Sequence, residues 1–201
     1  MKSSRIEAFS DGVLAIIITI MVLELKLPEQ HTLHAFVHTT GLSLLTYLLT
    51  FVYVGIYWNN HHHLFLVASN VDGLVMWANL HLLFWLSLFP LTNNWMDESH
   101  LALWPTAVYG FNLVGASASY FLLEMALRRL PGHQHLDEVY GVDIKAQLSV
   151  VLYLVGVGLC FVKPWIGVLP YVFVATMWLV PDRRVERWIQ AQGTADEDAD
   201  E

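Results

Sequence analysis

Charge-free apolar runs divide the chain. No Asp, Glu, Lys or Arg occurs within residues 12–23, 30–71, 73–96, 99–123, 146–162 or 164–181. The first run covers only twelve residues, closed by Asp11 and Glu24, against the ~18 to 20 apolar residues a span needs unaided. A spanning helix over residues 5–27 therefore takes Ser10, Asp11 and Arg5 into or near the bilayer. Ionisable groups at such depth are costly and face protein or water, so this helix is the first place to look for function. The pattern predicts an all-α membrane protein of six transmembrane helices, over about 5–27, 40–67, 72–96, 101–127, 144–162 and 164–181. These form one membrane domain, 1–182, followed by a cytoplasmic tail, 183–201, acidic and expected to be disordered at its end.

Periodicity refines the first helix. Val13, Ile16, Ile20, Leu23 and Leu27 share one face at spacings of three and four. Asp11 lies on the far side from Ile16. One helix thus offers an apolar stripe to one neighbour and a polar patch to another. Further along, Pro90 predicts a kink near the outer end of the third helix. Gly115 and Ser119, and Gly156 and Gly158, predict close helix packing. The polar connection at 128–142 carries His133 and His135, expected to be solvated. A short interfacial helix is expected at 181–192.

Composition agrees with the membrane reading. Hydrophobic residues make up 56% and charged residues 14%, where a globular average has about 25% charged. The aromatic excess suits membrane interfaces. No cleavable signal sequence is expected, since an acid precedes the first apolar run. Cys160 sits in an apolar run, so a buried, inert thiol is expected. The net charge of −8 owes five acids to the terminal DEDADE, leaving no nucleic-acid footprint. Of the basic residues, Lys2, Arg5, Arg128, Arg129, Lys145, Arg183, Arg184 and Arg187 fall on one side, and only Lys26 and Lys163 on the other. The side rich in Lys and Arg is cytoplasmic, which places both termini there.

Candidate chemistry gathers at one level. The second helix ends in YWNNHHHLF, the third contains Asn79 and His81, and Arg5, Ser10 and Asp11 begin the first. A buried carboxylate needs partners, and imidazole, amide and indole groups can supply them. The expected outcome is a polar clamp joining helices one, two and three. Consecutive histidines on a helix point about 100° apart, so His61, His62 and His63 cannot all ligate one ion. Asp11 by itself is equally compatible with a clamp and with a proton or ion relay. An apolar stripe by itself more often packs a helix than lines a pore.

Arg5-x-x-x-Phe9-Ser10-Asp11, followed by GVLAIIITIMVLELKLP, resembles the first helix of the endolysosomal potassium channel family of transmembrane protein 175. YWNNHH and NLHLLFWLSLFPLT resemble that family's second and third helices. The resemblance implies a channel moderately selective for potassium over sodium, with potassium as permeant, no other cofactor and no enzymatic activity. It implies a homotetramer in the cell membrane, contacting lipid but neither nucleic acid nor organic substrate, with four copies of helix one lining a central pore. The family's constriction falls on Ile16, followed by Ile20 and Leu23, and a hydroxyl found in some members falls on Thr19. Its structural network falls on Arg5, Ser10, Asp11, Trp58, His61, His62 and Asn79. A ring of aliphatic side chains offers no ligands to replace a hydration shell. It would discriminate by width and by the cost of stripping water, and would close by dewetting. One copy of the motif per chain means that a pore built on this helix needs several chains. Two other readings compete: a proton- or ion-coupled transporter using Asp11 and the His cluster, and a metal or haem enzyme using His61, His62, His63 and His81.

Overall fold

A computed structural model describes residues 3–68, 70–130 and 144–179. The predicted interfacial helix, the acidic tail, most of the 128–142 connection and its two histidines lie outside the described residues. Those described form helices α1 (Ser4–Leu23), α2 (Leu33–Val67), α3 (Gly73–Ser87), α4 (Phe89–Glu98), α5 (Leu103–Arg128), α6 (Ile144–Cys160) and α7 (Pro164–Trp178), with no strand element among them. Since α3 and α4 form one stretch, Gly73–Glu98, the bundle has six rods.

The interruption at Leu88 has a local cause. Pro90 has no N–H to give the Leu86 carbonyl, and its ring crowds that carbonyl. The chain answers with a tight turn in which the Leu88 N–H donates to Trp85 O at 3.2 Å. Proline then takes one of the first positions of α4, where the missing donor costs nothing.

Among the described residues, four stretches are long and apolar enough to cross a membrane: Ser4–Leu23, Leu33–Leu66, Gly73–Glu98 and Leu103–Arg128. The 17 residues of α6 and 15 of α7 rise only ~25 and ~22 Å. They end against each other because Lys163 adopts an extended backbone immediately before Pro164. Short apolar helices are accommodated by local bilayer thinning or by flanking residues.

The α3–α5, α5–α6 and α6–α7 seams are the most extensive. At the α6–α7 seam a Cβ on Gly156 would meet Tyr171 and the Gly167 carbonyl, and one on Gly167 would meet Cys160. Gly115 lies against the Trp85 indole. Gly158 faces open space, so the packing role expected of it is corrected: the helix turns it away from the seam that Gly156 occupies.

The aromatic residues divide by type. Trp77, Trp104 and Trp165 are exposed, but Tyr53, Tyr109, Tyr153 and Tyr171 are buried at the centre of the bundle. Their rings meet at centroid distances of 6.0 Å for Tyr53–Tyr153 and Tyr109–Tyr171 and 6.4 Å for Tyr153–Tyr171. The Tyr53 hydroxyl donates to Tyr171 O at 2.5 Å, and the Tyr109 hydroxyl meets Thr50 Oγ1 at 2.9 Å. A tyrosine with a partner for its hydroxyl can be buried in a core, so these tyrosines are core residues and not interfacial ones. Cys160 is buried as expected.

Candidate functional site

Three faces of α1 do three things. Ile6, Ser10, Leu14, Ile17 and Met21 are buried against the bundle. Their spacings of three and four form one stripe. Asp11, Glu7 and the residues around them face the end of α2. The third face is bare: Phe9 is 56% exposed, Ile16 58%, Ile20 42% and Leu23 81%, with Gly12 between Phe9 and Ile16. Val13 is drawn into the core packing, and Leu27 lies beyond the helix end. The apolar stripe is therefore shorter than periodicity over residues 13–27 implies, and it is shifted: it loses Val13 at one edge and continues over Ala15 and Val22, which is 45% exposed, at the other. Thr19 borders it, its hydroxyl donating to Ile16 O at 2.8 Å. That bond consumes the proton and leaves the oxygen's lone pairs outward.

Buried polar groups lock the rotation of α1. His61 Nε2 lies 2.8 Å from Asn79 Oδ1, and Asn79 Nδ2 donates to Ser10 Oγ at 3.0 Å. The Ser10 hydroxyl donates to Ile6 O at 2.8 Å. Because Asn79 Oδ1 can only accept, His61 must carry its proton on Nε2. The three side chains are at most 2% exposed, and every bond in the relay runs one way, from α2 through α3 into α1. His61 Nδ1 is buried and receives no hydrogen bond from a described residue.

A second, outer ladder joins α1 to α2 directly. Trp58 Nε1 donates to Asp11 Oδ1 at 3.0 Å, and His62 Nδ1 lies 2.6 Å from Glu7 Oε1. Trp58 and His62 stack at 6.4 Å. Glu7 was not among the expected network residues. The signal was present: Glu7 and Asp11 are four apart, as are Trp58 and His62, so two antiparallel helices can match them as pairs.

Of the seven expected network residues, six come together: Ser10, Asp11, Trp58, His61, His62 and Asn79. Arg5 does not join them. It is exposed and makes no hydrogen bond to them, although it edges a groove between α1 and α3 that Asn79 also lines, together with Ile6, Phe9 and Met76. Asn60 turns back to Ile56 O at 2.8 Å. Asp72 caps α3 by accepting from the Val75 N–H at 2.9 Å. His61 and His62 diverge towards α3 and α1, and His81 belongs to a separate clasp. Its Nδ1 lies 2.9 Å from Ser119 Oγ and its Nε2 accepts from Trp85 Nε1 at 3.2 Å. Among the described residues no group of three or more His, Cys, Asp or Glu side chains is placed to hold a metal ion.

Comparison with known proteins bears on this arrangement. A family model described as endosomal/lysosomal potassium channel TMEM175 matches residues 5–90, which contain the exposed stripe and the clamp. The chain is 47% identical over 188 residues to a protein of Chryseobacterium sp. (strain P1-3) named a potassium channel, covering 93% of this chain and 97% of that one. It is 32% identical over 177 residues to a protein of Streptomyces collinus, also named a potassium channel, covering 81% and 84%. The crystal structure of a lysosomal potassium-selective channel TMEM175 homolog from Chamaesiphon minutus superposes with a TM-score of 0.75 at 27% identity. That match covers 89% of this chain and 96% of that one. An aliphatic face left bare on a clamped first helix, and relatives matched over nearly their whole length, lead to one conclusion: this chain belongs to the TMEM175 family, a family of ion channels and not of enzymes.

Proposed function

We propose that this protein conducts potassium as a homotetramer, with four copies of α1 around a central axis and the exposed face of each turned inward. The supporting observation is that face itself. Ile16, Ile20 and Leu23 stand bare, beside a further exposed strip of Ala8, Ala15 and Val22, on a helix whose remaining sides are packed or hydrogen-bonded to its own chain. Ile16 forms the narrowest ring, Ile20 and Leu23 continue the pore outward, and Thr19 offers hydroxyl oxygens beside it. Four aliphatic side chains give a dehydrating constriction, moderately selective because potassium costs less to strip of water than sodium. A slightly narrower ring closes by dewetting. The chain sits in the cell membrane, surrounded by lipid, with both termini cytoplasmic.

Asp11, His61 and His62 act in this proposal as anchors that hold α1 at one rotation, and not as a relay for a coupled transporter. The test is reconstitution into liposomes under a potassium gradient. Potassium flux with unitary current steps, reduced for sodium, supports the channel. Stoichiometric exchange with protons and no current steps overturns it.

A further inference from the structure

Helix α2 is longer than a membrane is thick. Its 35 residues rise ~52 Å, against a hydrocarbon core of ~30 Å. The pairs Glu7–His62 and Asp11–Trp58 set its antiparallel register against α1. Extended along both helices, that register leaves about the first dozen residues of α2, roughly 18 Å, standing past the end of α1. Thr40 marks the depth, because its hydroxyl donates to the Lys26 carbonyl at 2.7 Å. Lys26 in turn pairs with Glu98 at 2.5 Å, with side chains 68% and 47% exposed. A charged pair so open to its surroundings belongs at the aqueous level.

His34 and His38 lie at and beyond this level. Both are exposed. Their rings stack with centroids 6.4 Å apart and planes 17° apart, and neither is hydrogen-bonded to another described residue. A spacing of four residues puts both imidazoles on one helix face, the arrangement by which a single helix supplies two histidine ligands to zinc. Turning the two exposed rings about their own side-chain bonds can bring a nitrogen of each to ~2.0 to 2.1 Å from a shared ion. The positive end of the helix dipole opposes a cation at His34, which is in the first turn of α2, but the effect fades beyond that turn, and His38 is in the second.

We propose that His34 and His38 form a two-histidine site for a divalent transition-metal ion at the outer end of α2, with water completing the coordination. Imidazole ligands favour copper, nickel and zinc, with copper tightest, whereas magnesium and calcium prefer oxygen. The site does not depend on the pore reading: it needs only the exposed end of one helix.

Calorimetric titration of tag-free protein in detergent with nickel or zinc chloride tests it. The expected result is one site per chain that weakens at least tenfold in His34→Ala and in His38→Ala, but not in His31→Ala or His63→Ala. Both substituted side chains are exposed, so the variants should elute in gel filtration as the parent does. A relocated pair, His38→Ala with Thr39→His, keeps the number of histidines but places them five apart, about 140° around the helix. That variant should bind as weakly as His38→Ala. Equal binding by the relocated and native pairs, unchanged binding in the His34/His38 double variant, or equal affinity for magnesium would each overturn the proposal.

Discussion

Asn79 holds more of the site together than Asp11 does. Its amide accepts from His61 on one side and donates to Ser10 on the other, and all three side chains are buried. Asp11 shares one hydrogen bond with Trp58, which is 49% exposed. Asn79→Leu orphans a buried imidazole N–H, at about 1 to 2 kcal/mol, and should lower the melting temperature of the detergent-solubilised protein more than Asp11→Ala does. The opposite order would put the strength of the clamp in the carboxylate. At the pore face, Ile16→Ala removes most of an aliphatic wall four times over in the proposed tetramer. Conductance should rise and the reversal potential under opposed potassium and sodium gradients should shift towards zero. Thr19→Val removes the outward oxygen and should reduce potassium preference with less effect on closure. An unchanged reversal potential in Ile16→Ala, together with loss of selectivity in Leu23→Ala, would move the constriction two turns outward.

Among the elements, α3 and α5 meet through a glycine that has no room to grow. A side chain on Gly115 would enter the Trp85 indole, whose N–H is held by His81. Gly115→Val should destabilise by about 1 to 3 kcal/mol through overpacking. Gly158→Ala, which meets nothing, should be neutral or stabilising by up to about 1 kcal/mol, since alanine is the better helix former. Thermal unfolding of the two variants side by side checks the contrast. Gly115 and Ser119, four apart, share one helix face, whereas Gly156 and Gly158, two apart, lie about 200° around theirs, so only one of that pair can face a given seam; which one does is set by the neighbouring helix. The α3–α4 break is different, because Pro90 announces it from within its own segment.

For the whole molecule, the bare face of α1 requires more than one chain if it is to line a conduit. Light scattering in detergent should give a protein mass four times 22.9 kDa; a monomer or trimer would defeat the proposed arrangement. Orientation has its own test. With the native Cys160 buried, a cysteine introduced at Asp97 should react with an impermeant reagent from outside intact cells, and one at Gly132 should not. The reverse pattern would invert the topology.

The sequence alone determined the class, the six-rod count and the rods' composition, because a run of apolar residues must satisfy its backbone bonds internally in lipid, and a helix does so. It also carried the resemblance, since RxxxFSD and the helix-two and helix-three motifs are local strings. It placed Ser10, Asp11, Trp58, His61, His62 and Asn79 at one level, which needs only helix direction and rise. Tertiary structure decided the rest. Which imidazole reaches which helix depends on the relative rotation of α1, α2 and α3, and so Asn79 became the link while Glu7 entered and Arg5 stayed out. Val13 left the exposed stripe because its neighbours closed over it, and four tyrosines went to the core because partners for their hydroxyls lay on other helices. Periodicity reports the faces of one helix; what each face meets is set by where the other helices stand.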